Sequence, residues 1–178
     1  QSGIELTGWT PGNEPGNTER ELRMRPRLAE RRPARKPIEL PRAGFAAFDL
    51  GERNYRRSES TWEEAGRPAA RVTIGLDGDE LIVETSVHTG NLVFVPASAS
   101  NPYDNEHPDI NGHGVQLYLR TFFDAGAWMI VPDEGSPVAR TRPLEGWGTL
   151  EMRRATWAKT PDGFSVRARV GLPPLPAE

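Results

Sequence analysis

The residues best suited to chemistry sit together in one polar stretch, Asn101-Pro102-Tyr103-Asp104-Asn105-Glu106-His107-Pro108-Asp109-Ile110-Asn111-Gly112-His113-Gly114. Asp104, Glu106, Asp109 and Asn111 offer hard oxygen donors of the kind calcium takes, and Gly112 leaves room for a sharp turn. The spacing is not that of an EF-hand, whose loop needs an acidic residue to close it. Residues 91–135 hold six acids, Asp104, Glu106, Asp109, Asp124, Asp133 and Glu134, against the single base Arg120. Such local charge needs a cation, a basic partner or solvent. The competing explanation is a solvated loop whose Asp and Asn side chains cap its turns.

His107 and His113 lie six apart in that loop, with His88 at the end of a strand. Zinc requires three or four converging ligands, and the loop supplies two. Haem would require Met24, Met129 or Met152 opposite a histidine. Met129 lies within Trp128-Met129-Ile130-Val131, where a core methionine is the ordinary explanation. Haem and zinc are both disfavoured, which leaves calcium as the one cofactor in view. The chain has no cysteine, hence no disulfide, thiolate nucleophile or iron–sulfur cluster. It has no Gly-x-Ser-x-Gly elbow and no phosphate loop. No pair of carboxylates is marked out by an apolar setting as an acid–base couple. The chain is read as a non-enzyme.

The tryptophans are Trp9, Trp62, Trp128, Trp147 and Trp157. Stacking on a sugar needs an exposed ring beside hydrogen-bonding groups. Trp147, between Gly146 and Gly148, and Trp157 are the candidates for carbohydrate binding. Trp62 is expected to close one end of the core.

Two kinds of chain must position these groups. Residues 1–44 hold nine Lys and Arg (Arg20, Arg23, Arg25, Arg27, Arg31, Arg32, Arg35, Lys36 and Arg42) against six Glu, while residues 45–178 hold thirteen against nineteen. The first segment also carries Pro11, Pro15, Pro26, Pro33, Pro37 and Pro41, which break helices and remove ladder donors. It reads as an extended arm, with one short helix conceivable around Thr18–Leu28. Arms of this composition order on a partner, and Arg20, Arg23, Arg25, Arg27, Arg31, Arg32, Arg35 and Lys36 are its candidate contacts. The interspersed Glu and the lack of basic–aromatic alternation favour a protein partner over nucleic acid.

From Phe45 onward the period is two. Val72, Ile74 and Leu76 alternate with polar neighbours, Asp77-Gly78-Asp79 turns the chain, and Leu81, Val83, Thr85 and Val87 alternate again. Leu92–Val95 is a short apolar run ended by Pro96, and Val115, Leu117 and Leu119 alternate with Gln116, Tyr118 and Arg120. Ala127–Val131 reads as an apolar strand and Gly148–Arg153 as a more polar one. Thr160-Pro161-Asp162-Gly163 is a turn, followed by Phe164, Val166, Ala168 and Val170. With Gly 18 and Pro 17 in 178 residues, the chain carries too much turn material for a helical bundle. The expected fold is all-β: an antiparallel, jelly-roll-like β-sandwich over residues 45–178, behind a 1–44 partner-binding arm.

The order of these elements resembles the family 9 carbohydrate-binding modules and the wider DOMON-like β-sandwiches. The matching pieces are Ser60-Thr61-Trp62-Glu63-Glu64-Ala65, the Arg71–His88 hairpin and Gly114-Val115-Gln116-Leu117-Tyr118-Leu119. The last is Thr160-Pro161-Asp162-Gly163-Phe164-Ser165-Val166 running to Val170-Gly171-Leu172-Pro173. The similarity covers about residues 45–175, and the arm is no part of it. It implies a non-catalytic module, often calcium-stabilised, with tryptophans available to sugars, while some DOMON-like relatives bind haem instead.

Two functions follow. The first is a scaffolding or accessory subunit of a larger extracytoplasmic, membrane-anchored or free assembly, docked to other protein subunits through the arm. The second is a carbohydrate-binding module. The assembly reading stands first, because the arm is what the resemblance does not explain. A chain beginning at Gln1 suits a processed periplasmic or secreted protein, and equally a fragment of a longer chain. No stretch approaches the roughly eighteen apolar residues of a membrane span.

Overall fold

The computed structural model describes residues 44–56, 60–102, 107–121 and 124–173. All lie in the second of the chain's two units, Ile38–Glu178. The arm, with every basic residue from Arg20 to Lys36, lies outside the described residues.

Eight strands follow in order: β1 Phe45–Leu50, β2 Ala69–Asp77, β3 Glu80–His88, β4 Val115–Arg120, β5 Ala125–Asp133, β6 Ser136–Pro143, β7 Met152–Thr160 and β8 Gly163–Gly171. All ladders are antiparallel, and the order across the sheet is β1-β2-β3-β8-β7-β6-β5-β4. Helical backbone among the described residues is limited to two 3-10 turns, Glu52–Asn54 and Pro108–Asn111. The all-β expectation therefore holds. Where two separate sheets were expected, the strands join into one sheet. Its two parts meet at β6 and β7 through a single pair, Val138 opposite Thr156. So narrow a ladder lets the sheet bend, and a single core gathers side chains from β2, β3, β7 and β8 with Trp128, Ile130 and Ala139 of β5 and β6.

Alternation explains which side chains enter that core. In β2 and β3, Val72 faces Thr85 and Ile74 faces Val83 on the inner face, while Leu76, opposite the buried Leu81 near the turn, is exposed. Gly78 turns this hairpin at φ 60°, a left-handed conformation that costs glycine nothing. β8 carries on the row with Phe164, Val166, Ala168 and Val170, each nearly inaccessible. The intervening outer positions carry ion pairs: Glu84 with Arg167, and Glu80 with both Arg169 and Arg153. β5 is buried along Gly126–Pro132 on both faces, which is why its sequence is a continuous apolar run rather than an alternation.

Between β3 and β4 the described residues form no strand, yet Leu92, Phe94 and Val95 join the core. Phe94 meets Trp157 edge-on at 5.1 Å between ring centroids and Phe164 at 5.4 Å. The chain then returns against its own path, His113 N donating to Val93 O at 2.7 Å. At Gly114 a Cβ would stand 2.6 Å from Met129 Cε and 2.8 Å from the Ile130 carbonyl, so only glycine permits this approach to β5. Among the described residues no helix is long and apolar enough to cross a membrane.

Candidate functional site

The polar loop separates into parts with different fates. Asp104 and Glu106 lie outside the described residues. Asp109 is 3% exposed, and its carboxylate lies between two guanidiniums, with Arg142 Nε at 3.2 Å and Arg140 Nη1 at 3.5 Å, and has His107 Nδ1 at 2.9 Å. Two guanidiniums beside one carboxylate neutralise it and repel a divalent ion, so this side chain serves as an anchor in place of the expected calcium ligand. Arg140 also donates to the carbonyl of Val95, tying the 92–95 segment to β6. Asn111 is exposed and does not share the Asp109 cluster; it lines a separate cleft. Among the described residues no group of three or more His, Cys, Asp or Glu side chains is arranged to hold a metal.

That cleft has a volume of about 950 Å³ and is bordered by Tyr55, Ser60, Glu64, Pro68, Thr89 and His113, with Val93 and Ile110 exposed on its wall. Its titratable groups are engaged. His113 Nδ1 lies 3.0 Å from Val93 N and 3.3 Å from Val93 O, and its Nε2 lies 3.3 Å from the Thr89 hydroxyl. The Glu64 carboxylate caps the turn after Thr61, accepting from its N–H at 2.8 Å and its hydroxyl at 2.9 Å. These hydrogen bonds hold the Glu64 carboxyl below the usual range. Trp62, in the same turn, is half-buried, donates from Nε1 to the Pro68 carbonyl at 2.9 Å and carries Arg67 over its ring.

The two candidate tryptophans sit in different surroundings. Trp157 faces inward from β7, packs against Phe94 and donates to the carbonyls of Asp133 at 3.1 Å and Ser136 at 2.7 Å. Its indole N–H is thereby spent on closing the β5–β6 turn. Trp147 is 43% exposed and meets Tyr118, 49% exposed, edge to face with centroids 4.8 Å apart. Tyr118 comes from the outward row of β4, together with Gln116 and Arg120, and its hydroxyl donates to Gln116 Oε1 at 3.0 Å. Its register partner on β5 is Ala127, and that of Arg120 is Ala125, so small side chains lie beside the aromatic and the cation.

The loop carrying Trp147 is braced from below. Asp124 Oδ1 accepts from Thr149 N at 3.0 Å and Ala125 N at 2.7 Å, and Oδ2 accepts from the Thr149 hydroxyl at 2.6 Å. The Thr149 hydroxyl first, then the Thr149 and Ala125 amides, hold the Asp124 carboxyl below its ordinary value. Leu144 N and Leu150 N bond the Ala127 and Ala125 carbonyls, at 2.8 Å and 3.1 Å. Gly148 adopts φ 100°, where a Cβ would stand 2.6 Å from the Ala125 carbonyl. An exposed aromatic pair is thus presented by a fixed loop and an edge strand. Tyr118 was not singled out by type, although strand alternation alone turns it outward; its contact with Trp147 has no local signal.

Compared with known proteins, the chain matches no protein-family model, no curated protein and no solved structure.

Proposed function

We propose that the chain is a non-catalytic carbohydrate-binding module whose contact surface is the Tyr118–Trp147 platform. One observation carries this reading: an exposed aromatic pair, held on a braced loop, beside hydrogen-bonding side chains on the same strand face. A pyranose offers a face of C–H groups to an aromatic ring and a rim of hydroxyls to polar side chains. Gln116 and Arg120, flanking Tyr118 in the outward row, form such a rim. The single curled antiparallel sheet shares the all-β class that the resemblance to family 9 modules implies, which supports the reading at that level. The test is a calorimetric screen of oligosaccharides against the full chain and its Trp147→Ala variant. Binding that weakens at least about tenfold in the variant supports the reading, the scale of losing one ring contact of a binding hot spot. Equal binding by both proteins contradicts it.

The accessory-subunit reading keeps one observation of its own, the charge partition of the chain. Nine basic residues against six acids over 1–44 precede a body with thirteen against nineteen. In this second reading the arm docks to another subunit of an extracytoplasmic assembly. Recovery of a stoichiometric complex by the full chain, and its loss on deletion of residues 1–44, would favour it over the first.

A further inference from the structure

We infer that the Tyr118–Trp147 platform takes an acidic saccharide, a uronate-containing chain whose carboxylate pairs with Arg120. The inference rests on the carbohydrate reading and narrows it to one chemical class.

The argument starts from what Arg120 does not do. Arg71, Arg140, Arg142, Arg153, Arg167 and Arg169 each hold a carboxylate. Arg120 is exposed and has no ion-pair or hydrogen-bond partner among the described residues. It is also the single base in residues 91–135, a stretch with six acids. The acid nearest along the chain, Asp124, accepts from Thr149 and Ala125 and forms no ion pair with it. Among the described residues the guanidinium is therefore an open cation, in a segment with more acids than bases.

Its position ties it to the aromatic pair. Arg120 and Tyr118 are two residues apart on one face of β4, roughly 7 Å along the strand, the scale of one sugar ring with its substituents. A neutral sugar's hydroxyls are served equally well by an amide such as Gln116. A planar guanidinium instead matches a carboxylate through two parallel hydrogen bonds. Glu145, exposed two residues before Trp147, is the charge that opposes such a ligand.

The experiment titrates the full chain calorimetrically, at low salt, with oligogalacturonate, with the same oligomer after reduction of its carboxyls to alcohols, and with oligoglutamate. Oligogalacturonate is expected to bind at least about tenfold more tightly than the reduced oligomer, as for one charge-assisted hydrogen bond. Arg120→Ala, which removes no hydrogen bond or ion pair among the described residues, should erase that preference, so that the acidic and reduced oligomers bind with equal affinity. Arg154→Ala, an exposed cation on β7, should alter neither, and Glu145→Gln should tighten the uronate complex. The preference should shrink as salt is added. Equal affinity for the acidic and reduced oligomers overturns the inference and leaves the carbohydrate reading standing. Oligoglutamate binding as tightly as oligogalacturonate overturns it in favour of charge alone. Absence of binding by every oligosaccharide overturns both.

Discussion

Thr149 gives its backbone N–H and its hydroxyl to the same carboxylate, that of Asp124, at 3.0 Å and 2.6 Å. Through this contact the loop carrying Trp147 is fastened to the start of β5. Asp124→Ala removes three acceptor contacts at once and frees the loop, while Tyr118 stays on β4. The expected result is saccharide binding about tenfold weaker with its stoichiometry retained, the loss coming from ordering the loop on binding. Asp124→Asn, which keeps a carbonyl acceptor, should retain most of the affinity.

Acid should destabilise the fold within a defined window. Asp79 is held below its ordinary value by Arg153. Glu80 is lowered by Arg169 and then Arg153, and Asp124 by Thr149 and then Ala125. A carboxyl with a depressed folded-state pKa contributes its full stabilisation above its unfolded value, about pH 4, and loses it as pH falls through the folded value. The melting temperature should be nearly level from neutral pH to about pH 5 and fall below about pH 4. Glu80→Gln should flatten that fall in a calorimetric series. A wild-type melting temperature that stays level down to about pH 2.5 would remove these carboxylates from the account.

Asp109 and Asp49 provide a contrast between a buried and an exposed ion pair. Asp109 is almost fully enclosed, while Asp49 meets Arg71 at 3.0 Å in solvent. Removing Asp109 leaves two guanidiniums facing each other without a counter-charge. Because solvent reaches both arginines, Asp109→Ala should cost about 2–3 kcal/mol, less than a fully buried pair. Asp49→Ala should stay within about 0.5 kcal/mol of the wild type. Urea denaturation measures both.

Gly163 begins β8 at φ 156°, where a Cβ would lie 2.0 Å from the Val87 carbonyl of the neighbouring strand. No rotation of a side chain relieves a clash with backbone. Gly163→Ala should therefore destabilise the protein by about 2–3 kcal/mol, separating β8 from β3 at the end of their ladder. Gly78→Ala, in open space with φ 60°, should cost about 1 kcal/mol. Similar losses for the two would contradict the steric account.

Strands whose inner rows are apolar were legible in the sequence. The β2–β3 hairpin, with Gly78 at its turn, and the Phe164–Val170 row lie where alternation puts them. β6 was not, because Pro137, Arg140, Arg142 and Pro143 leave Ala139 as its one buried side chain. The strand expected over Gly148–Arg153 starts instead at Met152, since Trp147, Gly148 and Thr149 belong to the braced loop. The environment of Asp109 depended on that unread strand: without Arg140 and Arg142 its carboxylate looked free for an ion. Trp147 could be picked out by its flanking glycines and Tyr118 by its outward position. Their meeting is set by the distant Asp124–Thr149 contact, which no local pattern encodes.

The central claim is that saccharides meet this protein at Tyr118 and Trp147, and indole N–H resonances read it directly. Trp157 serves as an internal reference, its N–H already bonded to the carbonyls of Asp133 and Ser136. In a 1H–15N titration with an oligosaccharide, the Trp147 indole signal and the backbone amides of β4 should move together, while the Trp157 indole signal stays in place. Movement confined to Thr89, Val93 and His113 would move the site to the cleft, and a still Trp147 signal at saturation would contradict the account.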